Sequence, residues 1–396
     1  MPMPLANPRE GVSLPYLTEL AEWASQVLDQ DHAKALAPNA TKQPPRMTSV
    51  QLLEALDVSR STMERRLDAN QWPADPPEEG HRRTFDLDQA RQILKLEGKS
   101  SALHGPAQVI TISNFKGGAG KTTLSASLAQ YLAMRGLDVL AIDLDPQASL
   151  TTLYGYLPDV DVDSDGTLMR VLHEEDQTLA PAVRTTYWPG VDLLPSCLGL
   201  AAADYIIPAR QAKDPNYRME ALVAEAIRPL RDKYDVIIID TPPALGYLTT
   251  AAIYAASGLV MPIPPSGMDF ASSCAYMALF TDVFDQITRL HNSAFALEFF
   301  KVVLTKVDTS DSTADLVSSY VHGAFGRHVI PTPMLKSAAI TAAAAGFGTV
   351  YDQWNRYPGA AKTYTRAKDS VDAVCSAIHD AVVEADKAHT PKEATA

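Results

Sequence analysis

Residues 116–123 read Lys-Gly-Gly-Ala-Gly-Lys-Thr-Thr, a combination suited to holding a chain of phosphates. Gly117, Gly118 and Gly120 let the backbone curl until successive N–H groups point at one centre. Lys121 places a cation on the β- and γ-phosphates, and the Thr122 hydroxyl can ligate Mg²⁺. The match to the phosphate-loop pattern G-x-x-x-x-G-K-[ST] is loose. Gly120-Lys121-Thr122 supplies its end, but a lysine, Lys116, stands near its start. That lysine is a second mobile charge at the phosphate end, where one loop needs a single cation.

Two further stretches end in carboxylates. Val139-Leu-Ala-Ile-Asp143-Leu-Asp145-Pro-Gln147 closes an apolar run on two acids, and Val236-Ile-Ile-Ile-Asp240-Thr-Pro-Pro243 closes one on a single acid. Buried parallel strands have this composition, and ligands bind at their C-terminal ends. Beside a phosphate loop, an acid in that place is an outer ligand for Mg²⁺. On its own it would be a turn residue capping the next helix.

These side chains need rigid elements to place them. Gln108–Ser113 is a short β-branched strand leading into the loop. After the loop, Leu124, Leu128 and Leu132 keep helical spacing as far as Gly136, a C-cap residue by type. The phosphates would then lie at a helix N-terminus, where the dipole and free N–H groups favour an anion. Val191–Leu194, Leu259–Ile263, Lys301–Leu304 and Val329–Ile330 are further strand candidates. Strands alternating with helices predict an α/β fold with a mostly parallel, doubly wound sheet.

Lys116–Thr123, Asp143-Leu-Asp-Pro-Gln147 and Ile238-Ile-Asp-Thr-Pro-Pro243, in this order, resemble the motifs of the ParA partition ATPases with their deviant Walker A loop. The resemblance spans residues 107–385. It implies a slow ATPase using ATP and Mg²⁺ inside an ATP-sandwich dimer, stimulated by a ParB-like centromere-binding partner. It implies that Lys116 reaches across to the nucleotide of the second copy. By the same resemblance Gly117, Gly118, Ala119 and Gly120 cradle phosphate, Lys121 holds it, Thr122 binds the metal and Thr123 touches the α-phosphate. Asp145 would orient the attacking water, with Asp143 and Asp240 supporting the metal through waters. Thr305, Lys306 and Pro331 would lie near the base. Thr305-Lys306-Val307-Asp308 also matches the short [NT]-K-x-D loop by which GTPases read guanine; adenine remains the expected base. Phosphoryl transfer asks for positioning and charge neutralisation more than covalent chemistry. A site complete only in the dimer suits a timed switch better than a metabolic enzyme.

Composition sets the bounds. A chain of 396 residues with 46% hydrophobic residues has room for more than one domain and a sizeable core. Cys197, Cys274 and Cys375 are widely spaced, without a CxxC pair or histidine cluster, which suits a reduced cytoplasm and argues against zinc. The first residues show no basic segment followed by an apolar core, so no signal peptide is expected. No apolar run approaches the roughly 18 residues of a membrane span. The net charge of −13 argues against a generally sticky nucleic-acid binder, so DNA contacts must come from local basic patches.

The chain divides into four parts: residues 1–46, 47–106, 107–385 and a polar tail, 386–396. In the first, a Pro-containing arm leads into a helix over 14–36. Leu17, Leu20, Ala21, Ala24 and Leu28 share a face there, widened by Trp23 and Val27. That face must pack on the next domain or on a second copy, and homodimerisation is the expectation. Residues 47–98 read as a winged helix-turn-helix. Val50, Leu53 and Leu56 mark one helix and Asp57-Val58-Ser59 a turn. Arg60–Leu67 is the second helix, with Ser59 or Ser61 as N-cap and Ser61 with Glu64 as a capping box. With Met63 and Leu67 turned inward, Arg60, Thr62, Arg65 and Arg66 are left for a DNA groove, and Arg82 and Arg83 for a wing. A small interaction module with merely solvated arginines would share this pattern; larger ParA proteins carry a DNA-binding head here.

Near the C-terminus Arg356, Lys362, Arg366 and Lys368 are either ordinary solvated charge or, by the resemblance, contacts for sequence-independent DNA binding by the ATP dimer. The expectation is therefore a cytoplasmic, nucleoid-associated partition ATPase of plasmid or chromosome that also represses its own operon. A ParA-like ATPase positioning a protein cargo and a nucleotide-regulated repressor are the alternatives. A MinD-like membrane role would need a basic amphipathic C-terminal helix, and Ala373–Ala388 is acidic. An electron carrier like the nitrogenase iron protein would need a cysteine soon after Asp240, and Thr241–Leu248 has none.

Overall fold

The computed structural model describes residues 12–35, 42–75, 83–99, 103, 105–173, 177–292, 294–352 and 357–389. Its centre is a seven-stranded sheet built from β3 (Gln108–Ile112), β4 (Val139–Asp143), β5 (Arg184–Thr185), β6 (Val191–Leu194), β7 (Val236–Asp240), β8 (Gly258–Ile263) and β9 (Phe299–Leu304), in the order β5-β6-β4-β7-β3-β8-β9. All neighbours are parallel except β5, which pairs antiparallel with β6. Every residue of β3, β4, β7 and β8 is buried. The strand pleat sends alternate residues to opposite faces. Ile110, Ile112, Val139, Ala141, Val236 and Ile238 join one apolar cluster, while Val109, Leu140, Ile142, Ile237 and Ile239 join another. Helices therefore cover both faces, as the continuous apolar strands require.

The strands expected from sequence are present with small shifts, apart from Val329–Ile330. There the chain makes one parallel bridge, Val329 to Val302, and no strand. The two-residue β5 carries no sequence signal.

The helix after the phosphate loop spans Lys121–Ala133, and every residue from Leu124 to Ala133 is buried. It packs on β4 and β7 and beneath the long helix Ala361–His389. Gly136, at φ +87, turns the chain toward β4.

Ahead of the sheet lies a helical unit. Its helices span Ser49–Leu56, Arg60–Asp68 and Leu87–Leu96, and β1 (Met47–Thr48) pairs antiparallel with β2 (Thr84–Phe85). Its core is Leu52, Leu56, Met63, Trp72, Phe85, Ala90, Ile93 and Leu94. Two details differ from expectation, and one choice left open by the sequence is decided. Leu52, not Val50, points inward, and Val50 is exposed. Ser59 is the N-cap of Arg60–Asp68, its Oγ accepting from the Thr62 N–H, because Ser59 has the extended φ/ψ an N-cap needs. The capping boxes fall instead at Thr48 with Gln51 and Asp86 with Gln89.

The first helix spans Leu14–Ala35, and Leu14, Leu17 and Val27 are exposed on it. The side chain of Leu28 lies outside the described residues. Among those residues, no helix is long and apolar enough to cross a membrane.

Candidate nucleotide site

Where β3 ends, the chain is pinned before it enters the loop. The Ser113 hydroxyl meets Tyr276 Oη at 2.7 Å, and Asn114 Nδ2 donates to the Pro262 carbonyl at 2.6 Å. Within the loop Gly118 and Gly120 have φ +71 and +92, left-handed values that glycine adopts without strain. Gly120 is the N-cap of Lys121–Ala133 and has no side chain to satisfy the first helical N–H groups. An anion is the natural partner for such a terminus. The Thr305 hydroxyl donates to the Ala119 carbonyl at 2.8 Å and ties the loop to the end of β9.

Lys121 is almost fully buried, and burial pushes its ammonium down against the pull of Asp240 and Asp145. Its Nζ donates to the Lys116 carbonyl at 3.3 Å. Asp240, at the end of β7, accepts the Thr122 hydroxyl at 2.7 Å and the Ser125 hydroxyl at 2.9 Å. Burial raises its carboxyl to about 6, opposed by those two hydroxyls and Lys121. Asp143 stands beside it in register on β4. Burial first, and the Asp240 charge second, push Asp143 up to about 8. Both its oxygens are occupied: Oδ1 by the Asp145 N–H at 3.1 Å, Oδ2 by Thr151 N–H at 2.9 Å and Oγ1 at 2.8 Å. Asp143 thus shapes the turn that aims Asp145, and any reach toward a metal is indirect.

The loop and Asp145 border a cleft of about 1050 Å³, with Asp143 and Asp240 buried outside its lining. Gly117–Thr123, Asp145, Gln147, Pro243 and Lys306 line it, with Leu153, Ala344 and Phe347 supplying apolar wall. Lys306 sits at φ +55 on the loop after β9. Pro331 is exposed and lies outside this lining. Asp308 turns away: its carboxylate accepts the Ser310 hydroxyl at 2.6 Å and pairs with Lys336 at 3.6 Å. Lys116 is half-exposed, its ammonium 3.5 Å from Asp269. Ser125, Thr151 and Phe347 are site residues that sequence reasoning missed. Only Ser125, one helical turn past Lys121, carried a readable signal.

The basic candidates are scattered. Arg60 is exposed and pairs with Glu64 at 3.0 Å, and Arg65 is exposed. The Thr62 hydroxyl lies 3.0 Å from that of Ser59. Arg66 is drawn inward to Gln71 at 2.7 Å and Glu97 at 3.2 Å, which takes it off the exposed face. Arg83 donates to the Asp75 carbonyl at 2.8 Å. Arg82 and Arg356 lie outside the described residues. Lys362 is exposed, and Arg366 donates to the Thr309 hydroxyl at 2.6 Å. Lys368 is committed to Asp372 and lies 5.8 Å over the Tyr351 ring, so its expected place on an open surface is corrected.

Comparison with known proteins bears on this geometry. An AAA domain family matches residues 107–295. A putative replication protein A of Rhizobium rhizogenes is 34% identical over 320 residues, covering 77% of this chain and 79% of the relative. Protein SopA of Escherichia coli (strain K12) is 27% identical over 283 residues, 70% of this chain and 71% of its own. Among solved structures, a partition protein superposes with a TM-score of 0.63 at 18% identity, covering 92% of this chain and 98% of its own. A cobyrinic acid a,c-diamide synthase from Mycobacterium smegmatis, with bound ATP analog and magnesium, gives 0.53 at 24% identity, covering 69% and 94%.

Proposed function

The chain belongs to the ParA family of partition ATPases, and from that footing we propose that it is an ATP-dependent DNA segregation protein whose dimer closes over its nucleotides. The observation that carries this reading is the cluster in one cleft of glycine loop, buried Lys121, the Thr122–Asp240 contact and Asp145. Phosphates would lie against the loop N–H groups and Lys121, with Thr123 at the α-phosphate. The Thr122 hydroxyl and the Asp240 carboxylate form an all-oxygen donor pair at the helix start, which fits Mg²⁺. Bound there, the metal would neutralise charge on the phosphates. Asp143 would support it at a remove, through the turn it holds. Asp145, half-buried in the cleft, is placed to orient water. Lys116, itself half-exposed, would give up its 3.5 Å pairing with the largely buried Asp269 to reach the nucleotide of a second copy.

Adenine is the expected base, because Asp308 is engaged with Ser310 and Lys336. The helical unit over 47–98 is proposed as a winged helix-turn-helix that reads an operator through Arg60, Thr62 and Arg65, with Arg83 toward phosphates, and represses its own operon. The exposed apolar face of Leu14–Ala35 supports pairing of two such units. Sequence-independent DNA binding would belong to the ATP dimer through Lys362 and Arg366, with hydrolysis stimulated by a ParB-like partner. The test is DNA binding and ATP turnover for the wild type and Lys121→Ala. Random DNA should be bound with a non-hydrolysable ATP analogue and released with ADP, and Lys121→Ala should lose the difference. Equal DNA binding with both nucleotides would overturn the proposal.

A further inference from the structure

The helix Leu87–Leu96 has two working faces. Ala90, Ile93 and Leu94 pack into the core of the N-terminal unit. Leu87, Arg91 and Lys95, spaced i, i+4 and i+8, face the ATPase domain. Leu87 joins the apolar cluster that holds Leu128, Leu132 and Trp188. Arg91 is 5% exposed, and its guanidinium donates to the Ala133 and Leu137 carbonyls at 2.5 and 2.8 Å and to Asp138 Oδ1 at 2.5 Å. Lys95 takes the other oxygen of Asp138 at 2.7 Å. Room for Arg91 comes from Gly190, where a Cβ would fall 2.0 Å from its Cζ.

Ala133 is the last residue of the phosphate-loop helix, and Asp138 directly precedes the strand that carries Asp143. A cation here satisfies the carbonyl end of the helix dipole whose other end is the phosphate loop. A second cation from the N-terminal segment reaches the same helix by another route. Lys42, nearly buried, donates to the Leu153 and Phe347 carbonyls, and both residues line the nucleotide cleft. Its ammonium lies 5.2 Å over the Tyr187 ring. The Tyr187 hydroxyl accepts from Gln130 on the phosphate-loop helix at 3.3 Å and donates to Asp352 at 2.6 Å.

Two cations buried across a domain boundary are costly unless fully partnered. Here each finds its partners at the base or wall of the nucleotide site. We propose that Arg91 and Lys42 are positioning residues for that site: the docked N-terminal unit braces the phosphate-loop helix from behind, so nucleotide and docked unit each favour the other. This deepens the proposed nucleotide-binding reading and rests on it. By linkage, the factor by which docking tightens nucleotide binding is the factor by which nucleotide tightens docking.

The test uses the full chain as wild type, Arg91→Ala, Arg91→Lys and Lys42→Met. ADP affinity is measured by titration, and docking by amide exchange over residues 87–96 with and without ADP. ADP should slow exchange there in the wild type. Arg91→Ala should speed it and weaken ADP about 5–50-fold, within the usual span of coupling between sites. Arg91→Lys should recover part of the affinity, because it keeps the charge but loses the planar fork. Lys42→Met should weaken ADP with exchange over the phosphate-loop helix raised. Faster exchange over 87–96 with wild-type ADP affinity would overturn the brace, as would ADP leaving that exchange unchanged. If Arg91→Ala does not fold, Arg91→Lys and Lys42→Met carry the same comparison. A wild type that binds no adenine nucleotide would instead overturn the functional reading beneath it.

Discussion

Gly117 and Gly120 sit three residues apart in the same loop, yet an added methyl group should act on them in opposite ways. At Gly120 the backbone is at φ +92, and a Cβ would meet only Thr305 side-chain atoms at 3.8–3.9 Å, ordinary contact distance. The cost of Gly120→Ala is therefore backbone strain alone, about 1–2 kcal/mol for an L-residue held in the left-handed region. Gly117 has no such φ, and nothing lies within 4 Å of its Cβ position. Gly117→Ala should leave the nucleotide-free fold unchanged or gain about 0.4–1 kcal/mol by restricting the unfolded chain. The two variants should thus differ by about 2 kcal/mol in stability. Their thermal midpoints, measured without nucleotide, should fall on opposite sides of the wild type or nearly so. Nucleotide affinity should invert the ranking in one respect. Gly117 lines the cleft, so Gly117→Ala, the harmless change for folding, should crowd a phosphate held there and cost about tenfold or more in ATP affinity, some 1.4 kcal/mol. A Gly117→Ala variant that binds ATP as the wild type does would refute the assignment of this loop backbone as the phosphate cradle.

Unlabelled GTP should displace labelled ATP only at concentrations well above those of unlabelled ATP; displacement at equal or lower concentrations would mean that Thr305–Asp308 reads the base. Arg60→Ala combined with Arg65→Ala should abolish operator binding and spare ATP-dependent binding to random DNA, while Lys362→Ala with Arg366→Ala should do the reverse. Gel-shift assays on both DNAs check this, and parallel loss of both activities in both variants would mean one DNA surface. Lys42 gives a pH signature. Burial lowers its ammonium from 10.5 to about 8, with Asp352 pulling the other way. Its folded value lies below the unfolded one, so the unfolded chain holds more protons between those limits and stability rises with pH across that window. Lys42→Met should flatten that rise in thermal midpoint, and an unchanged slope would contradict the buried, charged Lys42.

The elements that carry the phosphate chemistry were legible because they obey two simple patterns. Fully apolar β-branched runs such as Val236–Ile239 have no stable place except a strand covered on both faces. Glycines followed by Lys-Thr at a helix start admit few other readings. What stayed hidden depends on register or on distant chain. Thr151 holds Asp143 only because the turn after β4 brings it back, eight residues later. Phe347 reaches the cleft from a loop that no local spacing ties to the nucleotide, while Pro331, closer in sequence to β9, does not. Ser59 and Ser61 are equivalent by type, and the backbone angle at Ser59 decides between them. Lys368 reads as free surface charge until Asp372, one turn on, and Tyr351 close around it. Arg91 looks like an ordinary charged helix residue; its burial follows from docking, which the sequence pattern does not encode.

A site shared between two copies is the central claim, and mixing two inactive variants tests it directly. Lys116→Gln lacks the group proposed to act on the nucleotide of the other copy, and Asp145→Ala lacks the group proposed to act on its own. Each alone should bind ATP and fail to hydrolyse it. In a mixed dimer, the nucleotide held by the Lys116→Gln copy would see an intact Asp145 and receive Lys116 from the other copy. Half the dimers in an equal mixture are mixed, and one of their two sites works, so turnover should recover to about a quarter of the wild-type rate. No recovery on mixing, with dimers confirmed to form, would place Lys116 on its own nucleotide and contradict the shared site.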